Sequence, residues 1–296
     1  MSAALPRRQR GSVLFWTAAR WLLCLLGLAV LAWPLVSVVV QGLPSVSWEF
    51  LTRAPADAGR AGGIAPMLVS TLWIVGISML FAIPVAWALA ILQVEVLPQN
   101  GLASLFVRGS LDVLAGVPSI VFGLFGLTLF CRQLGWGYSL MAGGAALACM
   151  ILPTLARGFA LALESLGPTY RMAGAALGLD RLTVLHRISI PVALPALTGA
   201  VLLALTRAVA ETAVLLFTSG YSDRMPQALF DSGRSVSVHV YELATNVPGG
   251  MRNAYGAALV LVALLMLISA VTQLSMHWLQ SRLSGCGAGC QTGKTT

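Results

Sequence analysis

The chain has 296 residues, of which 58% are hydrophobic and only 9% charged, whereas a soluble domain carries roughly 25% charged residues. So little charge excludes a water-soluble globule, and recurring apolar runs of about 20 residues match what a helix needs to cross a hydrocarbon core about 30 Å thick. The net charge of +8 does not point to nucleic acid, because the basic residues sit between the apolar runs and no basic face with interleaved aromatics exists.

Arg7, Arg8 and Arg10 precede an apolar stretch, as in a signal peptide. The run from Trp21 to Val40 exceeds a usual signal core and lacks a clear cleavage site, so residues 1–20 read as a cytoplasmic segment and the run as an uncleaved first span. Five more spans follow: Met67 to Leu92, Leu111 to Phe130, Leu140 to Leu161, Leu194 to Phe217 and Ala254 to Met276. The expected fold is all-α, a polytopic bundle of about six transmembrane helices over residues 21–276, with a flexible cytoplasmic tail at 277–296. About eleven Lys and Arg lie on the side of the termini against about six opposite, which places both termini in the cytoplasm. The sixth span is apolar almost all round and reads as close to lipid.

Two connections have structure of their own. In the outer loop, Val46 to Leu51 reads as a short apolar turn lying in the membrane interface. The inner loop, residues 163–195, is too polar to span and reads as two short helices: Thr169 caps the first, Gly178 ends it, Asp180 caps the second and Pro191 stops it. A helix-turn-helix on the cytoplasmic face is shaped to dock on a partner.

The cysteines imply no disulfide framework. Cys24, Cys131 and Cys149 lie in or beside apolar runs, where a thiol behaves as a small hydrophobe. Cys286 and Cys290 lack the further ligands that would complete a metal set, and His186 and His239 read as loop or interface residues. No metal, cofactor or catalytic group is expected. The ending Gly293-Lys294-Thr295 resembles a nucleotide-binding loop, but Ala288 stands where its first Gly belongs and no strand precedes it. Energy must therefore come from another subunit.

The inner loop resembles the cytoplasmic signature of ABC-importer permeases, E-A-A, three residues, G, nine residues, I-x-L-P. Here it reads Met172-Ala173-Gly174, three residues, Gly178, nine residues, Ile188-Ser189-Ile190-Pro191. The register matches at every anchor, while Met172 replaces Glu, Gly174 replaces Ala and Ile190 replaces Leu. The stretch RAVAETAVLLFTSG from Arg207 to Gly220 resembles the fifth span of the phosphate-specific transport (Pst) permease family, most closely its A-type subunit. Leu114 to Gly126 and Gly62 to Leu72 resemble that family's third span and the entry to its second. The resemblance implies a type I ABC-importer permease fold in a bacterial inner membrane. Its implied partners are a second permease, two cytoplasmic ATPase subunits and an extracytoplasmic phosphate-binding protein, and its implied cargo is inorganic phosphate.

Arg207 and Glu211 stand out without any family, because a charge at the bilayer centre costs about 2.5 to 3.5 kcal/mol on insertion scales. Four residues apart on one apolar helix, they are expected to share a face within reach of a salt bridge. Such a pair is either structural glue or an anion pathway in which the Arg207 fork attracts the anion and Glu211 holds the guanidinium in exchange. Thr212 and Ser119 complete the expected pathway set, with Pro118 loosening the third helix beside Ser119. Arg157 and Glu164 read as interfacial anchors. The competing functions are a permease for sulfate, molybdate or phosphonate, and a secondary transporter, which would show matching halves that this chain lacks. A membrane-embedded enzyme would need a nucleophile or metal set, and no Ser-His-Asp or His-Glu cluster occurs within the spans.

Overall fold

The computed structural model describes residues 7–98, 101–167 and 169–288. Its elements in order are α1 (Arg7–Gly42), α2 (Trp48–Thr52), the antiparallel pair β1 (Pro55–Ala56) and β2 (Ala61–Gly62), α3 (Ala65–Ile91), α4 (Leu102–Gly116), α5 (Ser119–Gly126) and α6 (Leu140–Glu164). There follow α7 (Thr169–Ala176), α8 (Arg181–Val184), α9 (Ile190–Ala210), α10 (Ala213–Thr218), α11 (Val236–Thr245) and α12 (Met251–Ala288). Wider π turns extend α3 over Leu92–Val96, extend α5 over Leu127–Gln133, and join α8 to α9 over Leu185–Ser189.

Among the described residues five helical stretches are long and apolar enough to cross a membrane: Trp16–Ser45, Ala65–Val96, Leu140–Glu164, Arg181–Ala210 and Met251–Met276. The expected third span is instead a bent pair, Leu102–Gly116 and Ser119–Gln133, meeting at 96°. Its cause is Pro118. Proline forces the preceding residue out of the α region, and Val117 is extended (φ −68°, ψ 129°), so α4 closes before it and α5 restarts at Ser119.

The central helix is α6, lined with small residues. Gly143, Gly144, Ala146 and Ala148 are buried along it, with Leu147, Ile151 and Leu155 filling the spaces between helices. A Cβ at Gly144 would sit 2.5 Å from Ile77 Cγ2, and one at Gly158 2.6 Å from the Ala200 methyl, so the absent side chains set how closely α3 and α9 approach. Trp87 on α3 meets Phe159 on α6 edge to face, with centroids 5.6 Å apart. By contrast α1 and α12 pack on each other at the edge of the bundle. The spanning window of α1 has no buried residues, leaving Trp21, Leu25, Leu31 and Trp33 exposed on an apolar rod.

Two local expectations change, and a third gains detail. The Val46 to Leu51 patch forms a short turn tied to the bundle: Ser47 caps α2 through the Phe50 amide at 3.1 Å, Phe50 is buried with Ile64, Met67, Val236 and Ala257, and Trp48 stays exposed. His239 is not a loop residue but a buried one on α11, its Nδ1 3.2 Å from Arg234 Nη1. Burial first, and then the neighbouring guanidinium, lower its pKa to about 4. Residues beyond 276 are partly helical, since α12 continues to Ala288, while Cys290 and the Gly293-Lys294-Thr295 ending lie outside the described residues.

Gly144→Val is expected to destabilise the subunit by about 1–3 kcal/mol, because the branched carbon meets Ile77 and the Ile74 carbonyl rather than a flexible chain end. Thermal unfolding in detergent checks this, and an unchanged midpoint would mean that α3 and α6 are not packed so closely.

Candidate translocation groove and coupling segment

Arg207 lies in the last turn of α9 and is exposed. It borders an open groove of about 690 Å³ between α9 and α12, with Leu203 and Thr206 on its own helix and Leu265, Met266, Ser269, Ala270 and Gln273 opposite. Among the described residues no carboxylate pairs with its guanidinium. The expected salt bridge to Glu211 is not formed, because α9 ends at Ala210 and Glu211 turns extended (φ −72°, ψ 134°). The shared helical face therefore does not exist.

Glu211 has a different task. Its carboxylate accepts from the Ala213 and Val214 amides at 3.0 and 3.5 Å, capping α10, while the Ser237 hydroxyl donates to its carbonyl at 2.5 Å. The anion at that helix start is thus the chain's own side chain, which suits the partial positive charge there. Thr212 follows at the cap position with its side chain making no capping bond.

The second break comes alongside the first. A Cβ on Gly123 of α5 would meet Ala213 and Phe217, and one on Gly126 would meet Thr218, so α5 and α10 run parallel in contact. Ser119 opens α5 at the same end of that pair as Thr212 opens the cap of α10. The structure therefore brings Ser119, Glu211 and Thr212 to one level and leaves Arg207 on the α9–α12 face. Ser269 and Gln273 were not singled out from the sequence, where single polar residues in an apolar run carry no signal of which face they line.

The inner loop folds as two short helices around a glycine turn. Past the end of α7, Gly178 stands at φ +71°, and the Leu179 amide donates back to the Gly174 carbonyl at 3.0 Å, a wrapped-around helix end that glycine adopts without strain. Asp180 caps α8 by accepting from the Thr183 amide at 3.2 Å. Thr169 is the first residue of α7 rather than its cap. Pro191 does not stop the second helix: the chain stays helical from Arg181 to Ala210, the π turn absorbing the missing Pro191 amide. Met172, Ala173 and Pro191 are exposed and Ile188 is half-buried. Gly174 is buried, and a methyl there would lie 2.4 Å from Val184 Cγ2, so glycine in place of the signature alanine admits a β-branched neighbour from α8.

Broken membrane helices, an open, mainly apolar groove with Arg207 at its edge, and an exposed helix-turn-helix suit the membrane-spanning subunit of a transporter. Residues 82–285 match the family of binding-protein-dependent transport system inner membrane components, and the chain belongs to it. It is 31% identical over 285 residues to the phosphate transport system permease protein PstA 2 of Mycobacterium tuberculosis, covering 93% of this chain and 91% of that protein. It is 30% identical over 257 residues to a probable ABC transporter permease, YqgI, of Bacillus subtilis, covering 82% and 86%. In fold it is similar to a permease of a bacterial ABC transporter involved in import of the acidic polysaccharide alginate (TM-score 0.65, 13% identity, 92% of this chain and 99% of that one). A chain of the MetNI methionine ABC transporter is also similar (TM-score 0.56, 17% identity, 83% and 98%).

Hydrogen bonds from Thr183, hydroxyl and then amide, hold the Asp180 carboxyl below the usual carboxylate range. A lowered folded value means that the cap's contribution is present above the ordinary carboxylate pKa of about 3.9 and is lost as pH falls through the lower value. Hydrogen exchange at the Thr183 amide, corrected for its intrinsic rate, should therefore lose protection below about pH 4. Asp180→Ala should show no such step.

Proposed function

We propose that this subunit forms, together with a second permease, the pathway for inorganic phosphate in an ATP-driven importer. An extracytoplasmic phosphate-binding protein delivers the cargo and two cytoplasmic ATPase subunits power the cycle. The observation that supports a pathway role is the Arg207 guanidinium on an open groove, with no carboxylate paired to it among the described residues: its planar fork matches an oxyanion, and transport requires binding weak enough to release. The phosphate assignment rests on the likeness to PstA proteins over nearly the whole chain. The ATPase docking surface is the α7–α8 loop, where Met172, Leu177, Leu179 and Leu182 present apolar side chains to solvent around the Gly178 turn. With the basic asymmetry of the loops, this reading puts α7, α8 and both termini in the cytoplasm.

Because Arg207 holds no buried carboxylate, Arg207→Gln is expected to leave subunit abundance near normal while abolishing phosphate uptake, and Arg207→Lys should retain little activity. Uptake of labelled phosphate in cells lacking the native gene, measured beside membrane abundance, checks this. Normal uptake by Arg207→Gln would remove the residue from the pathway, and stronger competition by sulfate or molybdate than by phosphate itself would move the cargo to another oxyanion.

Gly178→Val is expected to uncouple transport, since a β-branched residue at φ +71° is strained and displaces α8 from α7. Co-purification of the ATPase subunits measures the outcome. Retention of both the ATPase and full uptake would take the loop out of the mechanism.

A further inference from the structure

A second polar cavity lies where α3 and α6 end beside the middle of α4. Gln93 in the π turn that closes α3, Arg108 and Asp112 on α4, and Arg157, Leu161 and Glu164 on α6 line a pocket of about 300 Å³. Arg108 Nη2 donates to Glu164 Oε1 at 2.8 Å, and Arg157 pairs with Asp112, so two ion pairs cross from α4 to α6. These residues do more than anchor α6 at an interface.

The pairs leave donors over. Among the described residues Arg108 Nε and Gln93 Nε2 are both buried without a hydrogen-bond partner, and Gln93 is only 3% exposed. A buried donor without an acceptor costs about 1–3 kcal/mol, and here two such donors face one cavity. The π turn places Gln93 there, and wider turns of this kind frequently mark functional positions.

The chemistry of the missing acceptor follows from charge and depth. The pocket holds two guanidinium groups and two carboxylates, so it is neutral. Free phosphate, with about −1.5 charge at neutral pH, would face both carboxylates, whereas a phosphodiester carrying its own ammonium offers oxygens to Gln93 and Arg108 and a cation to Asp112 and Glu164. Glu164 is the last residue of the span Leu140–Glu164, and Gln93 lies near the end of Ala65–Val96. The pocket therefore sits at the membrane boundary, where lipid headgroups lie. Leu161 in its wall is 65% exposed, and Leu105 and Phe106 on α4 are exposed as well, which gives acyl chains an apolar surface to follow.

We propose that this pocket binds the headgroup of a zwitterionic aminophospholipid of the phosphatidylethanolamine class. The site is separate from the Arg207 groove and does not depend on the identity of the cargo.

The test uses the assembled transporter, purified from membranes of mixed phosphatidylethanolamine and phosphatidylglycerol, stepwise delipidated and examined by native mass spectrometry with headgroup quantification. Phosphatidylethanolamine should be retained after phosphatidylglycerol is lost. Gln93→Leu removes one donor, and Arg108→Lys removes the other while keeping a cation beside Glu164; each should lower retention about tenfold. Equal retention of the two lipids, wild-type retention in both variants, or displacement by millimolar inorganic phosphate would each overturn the proposal, the last by making the pocket a cargo site. No retained lipid at all would leave the donors to water and overturn it equally.

Discussion

Lipid offers no hydrogen bonds, so a helix interrupted inside a membrane must find its own partners for the backbone groups it frees. This chain interrupts two helices, at Val117–Pro118 and at Glu211–Thr212, and the rest of its architecture arranges itself around meeting that demand. At the second break, Glu211 closes the amides of α10 with its carboxylate and lends its carbonyl to Ser237. The loop behind α10 completes the enclosure: Ser139 and Leu140 at the start of α6 donate to the Thr218 and Asp231 carbonyls, and Gly233 donates to Ser219. A charged residue that looks costly in an apolar run is thus stabilised by being local, since a carboxylate at a helix start meets both free amides and favourable dipole.

The same demand explains the small residues. Breaks can be tolerated where other helices shield them, and α6 supplies the shield by letting its neighbours approach closely along Gly143, Gly144 and Gly158. A Cβ at Gly143 would meet Ser219, and one at Gly126 would meet Ala146 and Thr218, so α5, α6 and α10 interlock at the end of α10 that follows the second break. Dispersion rather than hydrophobic transfer holds such contacts in lipid, which is why small residues that bring backbones together prevail over bulky ones.

The number, type and rough bounds of the long helices were legible because apolar length is a direct physical signal. The Gly178 turn and the Asp180 cap were legible too, because each residue type has a local conformational reason to be there. The main failures at the site trace to helix continuity: helical spacing says which residues share a face only if the helix continues. Arg207 and Glu211 are four apart, but the extended backbone at Glu211 separates them, and hydropathy passes smoothly over that break. Pro191 failed the other way, since a π turn carried the helix through a residue that usually ends one. The crossed ion pairs of Arg108, Asp112, Arg157 and Glu164 join residues 45 or more positions apart, a relation that no window along the sequence contains.

Helical continuity past Pro191 changes how the proposed coupling operates. The stretch from Arg181 to Ala210 is one rod of 30 residues, about 45 Å at 1.5 Å per residue, with the α7–α8 docking surface at one end and Arg207 at the other. A displacement imposed at α8 reaches the groove along one continuous helix. Its softer places are the π turn at Leu185–Ser189, where the wider hydrogen-bond spacing lets the rod bend as it leaves the α7–α8 loop, and Pro195 inside α9. At the far end the rod stops at Glu211, whose carbonyl is held by Ser237 and whose carboxylate holds α10, so a shift of α9 along its axis is delivered to the neighbouring break. In the proposed coupling the groove and the Glu211 break would then shift together, with Arg207 one turn short of that break.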